Sequence, residues 1–289
     1  MKIFLDGEYV DREQAKVSVF DHGLLYGDGV FEGIRAYNGK IFKLEEHIDR
    51  LFDSARAILL KIPMSAQQLC DACVRCCALN NVRDGYIRLV VTRGVGSLGL
   101  NPESCPRPTV FIIADAIQLY SPEVYERGMR LVTASTRRVA PAAFSPAVKS
   151  LNYLNNILAK IEGRLAGAQE VLMLNEQGYV AECSGDNIFV IKNNTICTPP
   201  IYAGALGGIT RRVAIELLTQ AGHRVVESQL TRYDIYVADE CFLTGTGAEI
   251  VPVIELDGRL IGEGRPGTIT TSLISEYRKL TASEGTPIF

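Results

Sequence analysis

Pro146-Ala147-Val148-Lys149-Ser150-Leu151-Asn152 carries a lysine between an apolar approach and the start of a helical pattern. Two later stretches belong with it. Glu182-Cys183-Ser184-Gly185-Asp186-Asn187-Ile188-Phe189 opens on an acid, and Gly207-Gly208-Ile209-Thr210 reads as a helix start. A lysine held partly out of water loses its proton more readily and becomes a nucleophile and a base. A carboxylate can keep a ring nitrogen protonated, and the unpaired N–H groups of a helix start can hold a phosphate.

Amine, carboxylate and phosphate nest, in that order, are what pyridoxal 5′-phosphate requires. Lys149 would hold it as a Schiff base, Glu182 would pair with the pyridinium nitrogen, and the amides of Gly208, Ile209 and Thr210 would take the phosphate. Each signal is weak alone, since a single lysine is ordinarily solvated and Gly-rich turns are common. Their order is the argument.

The bulk composition narrows the partners. At 289 residues with 47% hydrophobic content, the chain is long enough for two modest domains with a substantial core. Lys and Arg number 30 against 33 Asp and Glu, and the net charge of −3 leaves no basic footprint for nucleic acid or an anionic membrane. Met1 to Gly7 places charge where a signal peptide would be apolar, and no apolar run reaches membrane-spanning length. A soluble, cytoplasmic protein acting on small molecules is expected. The eight cysteines then fit reduced thiols, and in the run Cys70, Cys73, Cys76 and Cys77 a core stripe of Cys70, Cys73 and Cys77 on one face of a predicted helix fits better than a metal or redox site.

The predicted elements give an α+β chain. Strands are expected at Lys2–Leu5, Lys16–Phe20, Tyr86–Thr92 and Thr109–Ala114. Helical spacing of apolar residues runs from Leu44 to Leu59, and Ser65-Ala66-Gln67-Gln68 is a capping box for the cysteine-bearing helix. Around Ser121-Pro122 the pattern weakens, which places a small N-terminal domain at 1–115, an interdomain loop at 116–126 and a larger C-terminal domain, carrying the lysine, at 127–289. In that second part a helix from Leu151 to Leu165 precedes several hairpins, and helices are expected at Thr210–Ala221 and Thr268–Leu280. Hairpins outnumber β-α-β crossovers, against a doubly wound parallel sheet.

Lys149-Ser150-Leu151-Asn152, the Glu182 to Phe189 stretch and Gly207-Gly208-Ile209-Thr210-Arg211 together resemble the signatures of class IV (fold-type IV) pyridoxal phosphate aminotransferases, in the family's order and spacing. Asp21-His22-Gly23-Leu24-Leu25-Tyr26-Gly27-Asp28-Gly29-Val30-Phe31-Glu32-Gly33-Ile34-Arg35 is similar to a segment of the branched-chain amino acid aminotransferase subgroup. The resemblance implies a two-domain fold with a β-barrel-like second domain. It makes Lys149 the Schiff-base lysine and proton carrier, and Arg50 a phosphate ligand. Thr246 and Gly247 would complete the phosphate cradle, and Tyr153 would stand near the cofactor's O3′. Tyr26, Phe31, Arg35, Tyr86, Arg88 and Ala248 would contact substrate, some of them from a second subunit of a homodimer or a dimer-based assembly.

The implied reaction is ping-pong transfer of the amino group of L-leucine, L-isoleucine or L-valine to 2-oxoglutarate. Two readings on the same scaffold stay open: D-amino acid transamination and an aminodeoxychorismate lyase-like activity. Arg93 in Val91-Thr92-Arg93-Gly94 resembles the carboxylate-trapping arginine of the D-specific group, but Val95 stands where those enzymes have histidine. The segment after Lys149 is one residue shorter than in some branched-chain enzymes and closer to the D-specific ones. Phe31-Glu32-Gly33-Ile34-Arg35 and Gly96-Ser97-Leu98-Gly99-Leu100-Asn101-Pro102 resemble the L-branched-chain type.

Overall fold

Runs of Val, Ile and aromatic residues build two sheets, one in each of two units. The computed structural model describes residues 1–117 and 120–289. One unit comprises Met1–Ile117, Val148–Asn152 and Thr281–Phe289, the other Gln118–Ala147 and Tyr153–Leu280. Residues 118 and 119, inside the expected loop at 116–126, lie outside the described residues.

The first unit contains β1 (Lys2–Leu5), β2 (Glu8–Asp11), α1 (His22–Tyr26), β3 (Gly29–Tyr37), β4 (Lys40–Ile41), α2 (Leu44–Ala57), α3 (Ala66–Leu79), β5 (Gly85–Thr92) and β6 (Thr109–Asp115). Its sheet runs in the order Thr286–Pro287, β4, β3, β5, β6, β1, β2, with antiparallel pairing throughout. Lys16–Phe20 is not a strand. Those residues are exposed, and the partner of β1 is β2, joined across a turn in which Asp6 and Gly7 have φ of 50° and 101°.

The capping box forms as expected. Ser65 N donates to Gln68 Oε1 at 2.8 Å, and Gln68 N to Ser65 Oγ at 3.2 Å. From α2, Leu44, Ile48, Leu51 and Ala55 turn inward at helical spacing, each large side chain contributing roughly 1.5–3 kcal/mol of burial. The four cysteines of α3 join the same core, and burial pushes the Cys77 thiol up to about 12.

Sequence order puts Lys149 in the C-terminal domain, but the fold groups it with the first unit. Phe31 N donates to Lys149 O and Leu151 N to Gly29 O, both at 3.0 Å, and Val30 bridges Ser150. The segment is therefore an extended strip against β3, and the helix expected from Leu151 begins only at Leu154.

The second unit contains α4 (Pro122–Arg127), β7 (Met129–Thr133), α5 (Leu154–Leu165), β8 (Glu170–Leu174), β9 (Val180–Cys183), β10 (Asn187–Lys192), β11 (Thr195–Thr198), α6 (Ile209–Gln220), β12 (Arg224–Glu227), α7 (Arg232–Tyr236), β13 (Glu240–Gly245), β14 (Glu249–Leu256) and β15 (Arg259–Leu260). The last helix, α8, spans Thr268–Ser283. Its sheet is mixed, in the order β12, β11, β10, β13, β14, β7, β8, β9, with β15 paired to β14. All of helix α4 but its last residue falls in the stretch expected to be a loop. Pro122 occupies its first turn, where a missing N–H costs nothing. No helix among the described residues is long and apolar enough to cross a membrane.

Candidate active site

In the first unit, the β3–β5 register pairs Phe31 with Val90, Gly33 with Arg88 and Arg35 with Tyr86. Side chains alternate across a strand, so Phe31, Arg35, Tyr86 and Arg88 share one face. The Arg88 guanidinium lies 4.5 Å over the Phe31 ring and 5.4 Å from the Tyr86 ring. Lys149 Nζ lies 4.6 Å over Phe31, which brings an amine to the same face. The lysine backbone is anchored by a 3.2 Å bond from its N–H to Ser54 Oγ on α2, while Val148 packs on the core. Four of the six expected substrate contacts thus share one sheet face, and one of them, Phe31, lies against the expected Schiff-base lysine. Tyr26 is held by different partners: its hydroxyl accepts from Gly99 N at 3.0 Å, and its ring meets His22 edge-on.

On the opposite face of β3 lies Glu32, fully buried. Arg50 donates to it through Nε and Nη2, both at 2.8 Å, and His47 Nδ1 approaches at 2.7 Å. Burial alone would raise the Glu32 carboxyl, but the Arg50 guanidinium and His47 outweigh it and bring it down to about 2. Burial lowers His47, so near neutral pH it donates Nδ1–H as a neutral ring. The arginine expected to bind phosphate is thereby fixed by a fork-to-fork contact.

In the second unit, Glu182 is buried on β9. Its Oε1 accepts from Arg138 Nε at 3.0 Å, and its Oε2 from Leu206 N at 2.9 Å and Asn187 Nδ2 at 3.2 Å. Asn187 also donates to Leu206 O at 2.8 Å and pairs with Thr244 across β10 and β13. It thereby links the acid to the start of α6 and to the β13–β14 turn, where Thr246, Gly247 and Ala248 sit. A side chain at Gly208 would collide with Asn187 Oδ1, so glycine is required there. Tyr153 occupies the N-cap position of α5.

These residues fit the cofactor that the sequence implies. The Gly208 cap supplies no side-chain acceptor, and among the described residues nothing accepts from the amides of Ile209 and Thr210, so the start of α6 presents free N–H donors. Thr244 Oγ1 is buried without a partner beside the β13–β14 turn.

Residues 29–256 match the family model for amino-transferase class IV. This chain belongs to the class IV aminotransferases. Among relatives, the putative branched-chain-amino-acid aminotransferase of Methanocaldococcus jannaschii is 52% identical, covering 100% of this chain and 99% of that one. The Escherichia coli branched-chain amino acid aminotransferase structure superposes with a TM-score of 0.95 at 38% identity, covering 98% of this chain and 95% of that one. The branched-chain amino acid aminotransferase of Thermoproteus uzoniensis, a thermophilic archaeon, solved with norvaline, gives 0.94 at 38% identity, covering 100% and 99%. As in those relatives, helices and curled sheets make up this class IV chain.

Sequence reasoning missed the partners of the expected site residues: in the first unit Glu32 and His47 beside Arg50, and in the second Arg138 and Asn187 beside Glu182. Glu32 and Asn187 lie inside quoted motifs, and the alternation of β3 signals that Glu32 faces away from Phe31. Arg138 carries no local signal. Arg93, which resembles a carboxylate trap, is occupied otherwise: Nε and Nη2 bind Asp28 at 2.8 and 3.0 Å, and Nη1 and Nη2 cap Leu59 O and Ile58 O at 2.7 Å.

Proposed function

We propose that this chain is a pyridoxal phosphate-dependent branched-chain-amino-acid aminotransferase that moves the amino group of L-leucine, L-isoleucine or L-valine to 2-oxoglutarate. The observation that carries the reading is the shared face of β3 and β5, where an aromatic ring, an arginine and a tyrosine stand beside the Lys149 amine. An aliphatic side chain finds apolar surface on Phe31, and the second carboxylate of glutamate finds a guanidinium at Arg88.

Bound cofactor supplies an electron sink that stabilises negative charge at the substrate α-carbon. Lys149 Nζ would hold the cofactor through its amine, then take up and return the proton that the α-carbon gives up. Glu182, fixed by Arg138, Leu206 N and Asn187, would pair with the ring nitrogen. Arg50, the α6 amides and the Thr246-Gly247 turn would bind the phosphate, with Tyr153 near O3′, Tyr86 near the substrate carboxylate and Ala248 among the substrate contacts. The commitments of Arg93 to Asp28 and two carbonyls support the L-branched-chain reading over the D-specific one.

A homodimer, or an assembly built from dimers, is part of this reading. It is supported by exposed apolar residues in each unit: Leu24, Leu98 and Leu100 in the first, and the α5 stripe Leu154, Leu158, Ile161 and Leu165 in the second. Eight free cysteines, most of them buried, support a cytoplasmic setting.

The test is transamination of 2-oxoglutarate with L-leucine and D-alanine side by side, in wild type and Lys149→Ala. Activity with L-leucine that disappears in the variant supports the proposal. Activity with D-alanine alone, or substantial activity in Lys149→Ala, contradicts it.

A further inference from the structure

A pocket of about 460 Å³ in the second unit is lined by the segment that follows β7, by α7 and by the β14–β15 turn. Three arginines line it, Arg137, Arg232 and Arg259, against one acidic residue, Asp257. The carboxylate is already occupied: it accepts from Thr133 N at 2.6 Å, Thr133 Oγ1 at 2.7 Å and the Tyr236 hydroxyl at 2.8 Å. Glu162, which reaches the same stretch of chain, is taken up by the amides of Ser135 and Thr136 and by the Thr136 hydroxyl.

Arg259 is held in place, 4.6 Å over the Tyr236 ring and donating to Asp257 O at 3.1 Å. Neither Arg137 nor Arg232 forms an ion pair among the described residues. With three arginines against one carboxylate, net positive charge is therefore concentrated in a concavity of small-ligand size. The proposed transamination uses none of these side chains. Arg138, next in the chain, turns to Glu182, whereas Arg137 lines the pocket.

We propose that this pocket binds a compact small-molecule dianion, a phosphate ester or a dicarboxylate, distinct from the ligands of the Glu182 region. Guanidinium forks match the oxygen spacing of both classes.

The holoenzyme, with its phosphate-binding groups filled by cofactor, is titrated calorimetrically with inorganic pyrophosphate and separately with malonate. Arg232→Gln/Arg259→Gln and Arg137→Gln are run in parallel, and all three residues are exposed, so the fold should survive. We expect saturable binding of one or both anions to wild type, about tenfold or more weaker in the variants, with kcat for L-leucine unchanged. Tighter pyrophosphate binding assigns phosphate esters, and tighter malonate binding assigns dicarboxylates. Equal binding by wild type and variants, or no saturable binding of either anion, overturns the proposal.

Discussion

Arg138 holds Glu182 end to side, with Nε and Nη2 both 3.0 Å from Oε1, and the two side chains are buried together. The same guanidinium donates to Asn155 and Asn156 on α5 at 3.2 and 3.1 Å. The acid proposed to face the cofactor's ring nitrogen is thus tied to a helix as well as to its own strand. Arg138→Met leaves a buried carboxylate uncompensated and should cost about 3–5 kcal/mol. Chemical denaturation measures that loss. The visible cofactor band should also titrate away at lower dilution than in wild type.

Acid sensitivity follows from Glu32. Its folded pKa of about 2 lies below the ordinary value of 4.5, so its contribution is fully present above the higher value and is lost as pH falls through the lower one. His47, lowered by burial, acts in the same direction: the unfolded chain takes up its proton first, and stability drops as pH falls below about 6.5. Unfolding free energy measured from pH 7 downward should decline in wild type, and the part of the decline below pH 4.5 should be much smaller in Glu32→Gln. An unchanged acid limb in that variant would contradict the Arg50–Glu32 account.

Gly33 sits opposite Arg88, and a methyl group there would overlap the Tyr86 hydroxyl. Gly33→Ala should therefore displace Tyr86 from the shared face. Overpacking of this kind costs roughly 1–3 kcal/mol of stability, and the shifted phenol should lower kcat/KM for L-leucine by about tenfold or more. Steady-state kinetics beside a melting curve separates the two effects.

Arg93 is a structural clamp in this account. Arg93→Met should destabilise the first unit by about 3 kcal/mol, since Asp28 and two carbonyl oxygens lose their donor. The ratio of L-leucine to D-alanine activity should not move. A change in that ratio would return Arg93 to substrate recognition.

The signals readable in the sequence were local ones. Lys149, Glu182 and the Gly208 to Thr210 turn each lie in a short motif, and Phe31, Arg35, Tyr86 and Arg88 fall on one face once β3 and β5 are paired. Partnerships across distance were not legible. Arg138 precedes Glu182 by 44 residues, and only the fold shows that its N–H donates to Leu174 O on β8 while its side chain reaches β9. Lys149 lies in the second half of the chain, yet backbone bonding to β3 overrides sequence order and groups it with the first unit. Lys16–Phe20 has the β-branched residues of a strand, but those side chains stay exposed, and the shorter Glu8–Asp11 pairs instead because the Asp6-Gly7 turn dictates it.

The visible absorption spectrum of the purified protein, reconstituted with pyridoxal 5′-phosphate and then mixed with L-leucine, tests the central claim most directly. An imine band that gives way to the pyridoxamine form with L-leucine, is restored by 2-oxoglutarate and is absent from Lys149→Ala is the predicted result. No band in wild type, or a band that D-alanine discharges and L-leucine does not, would contradict it.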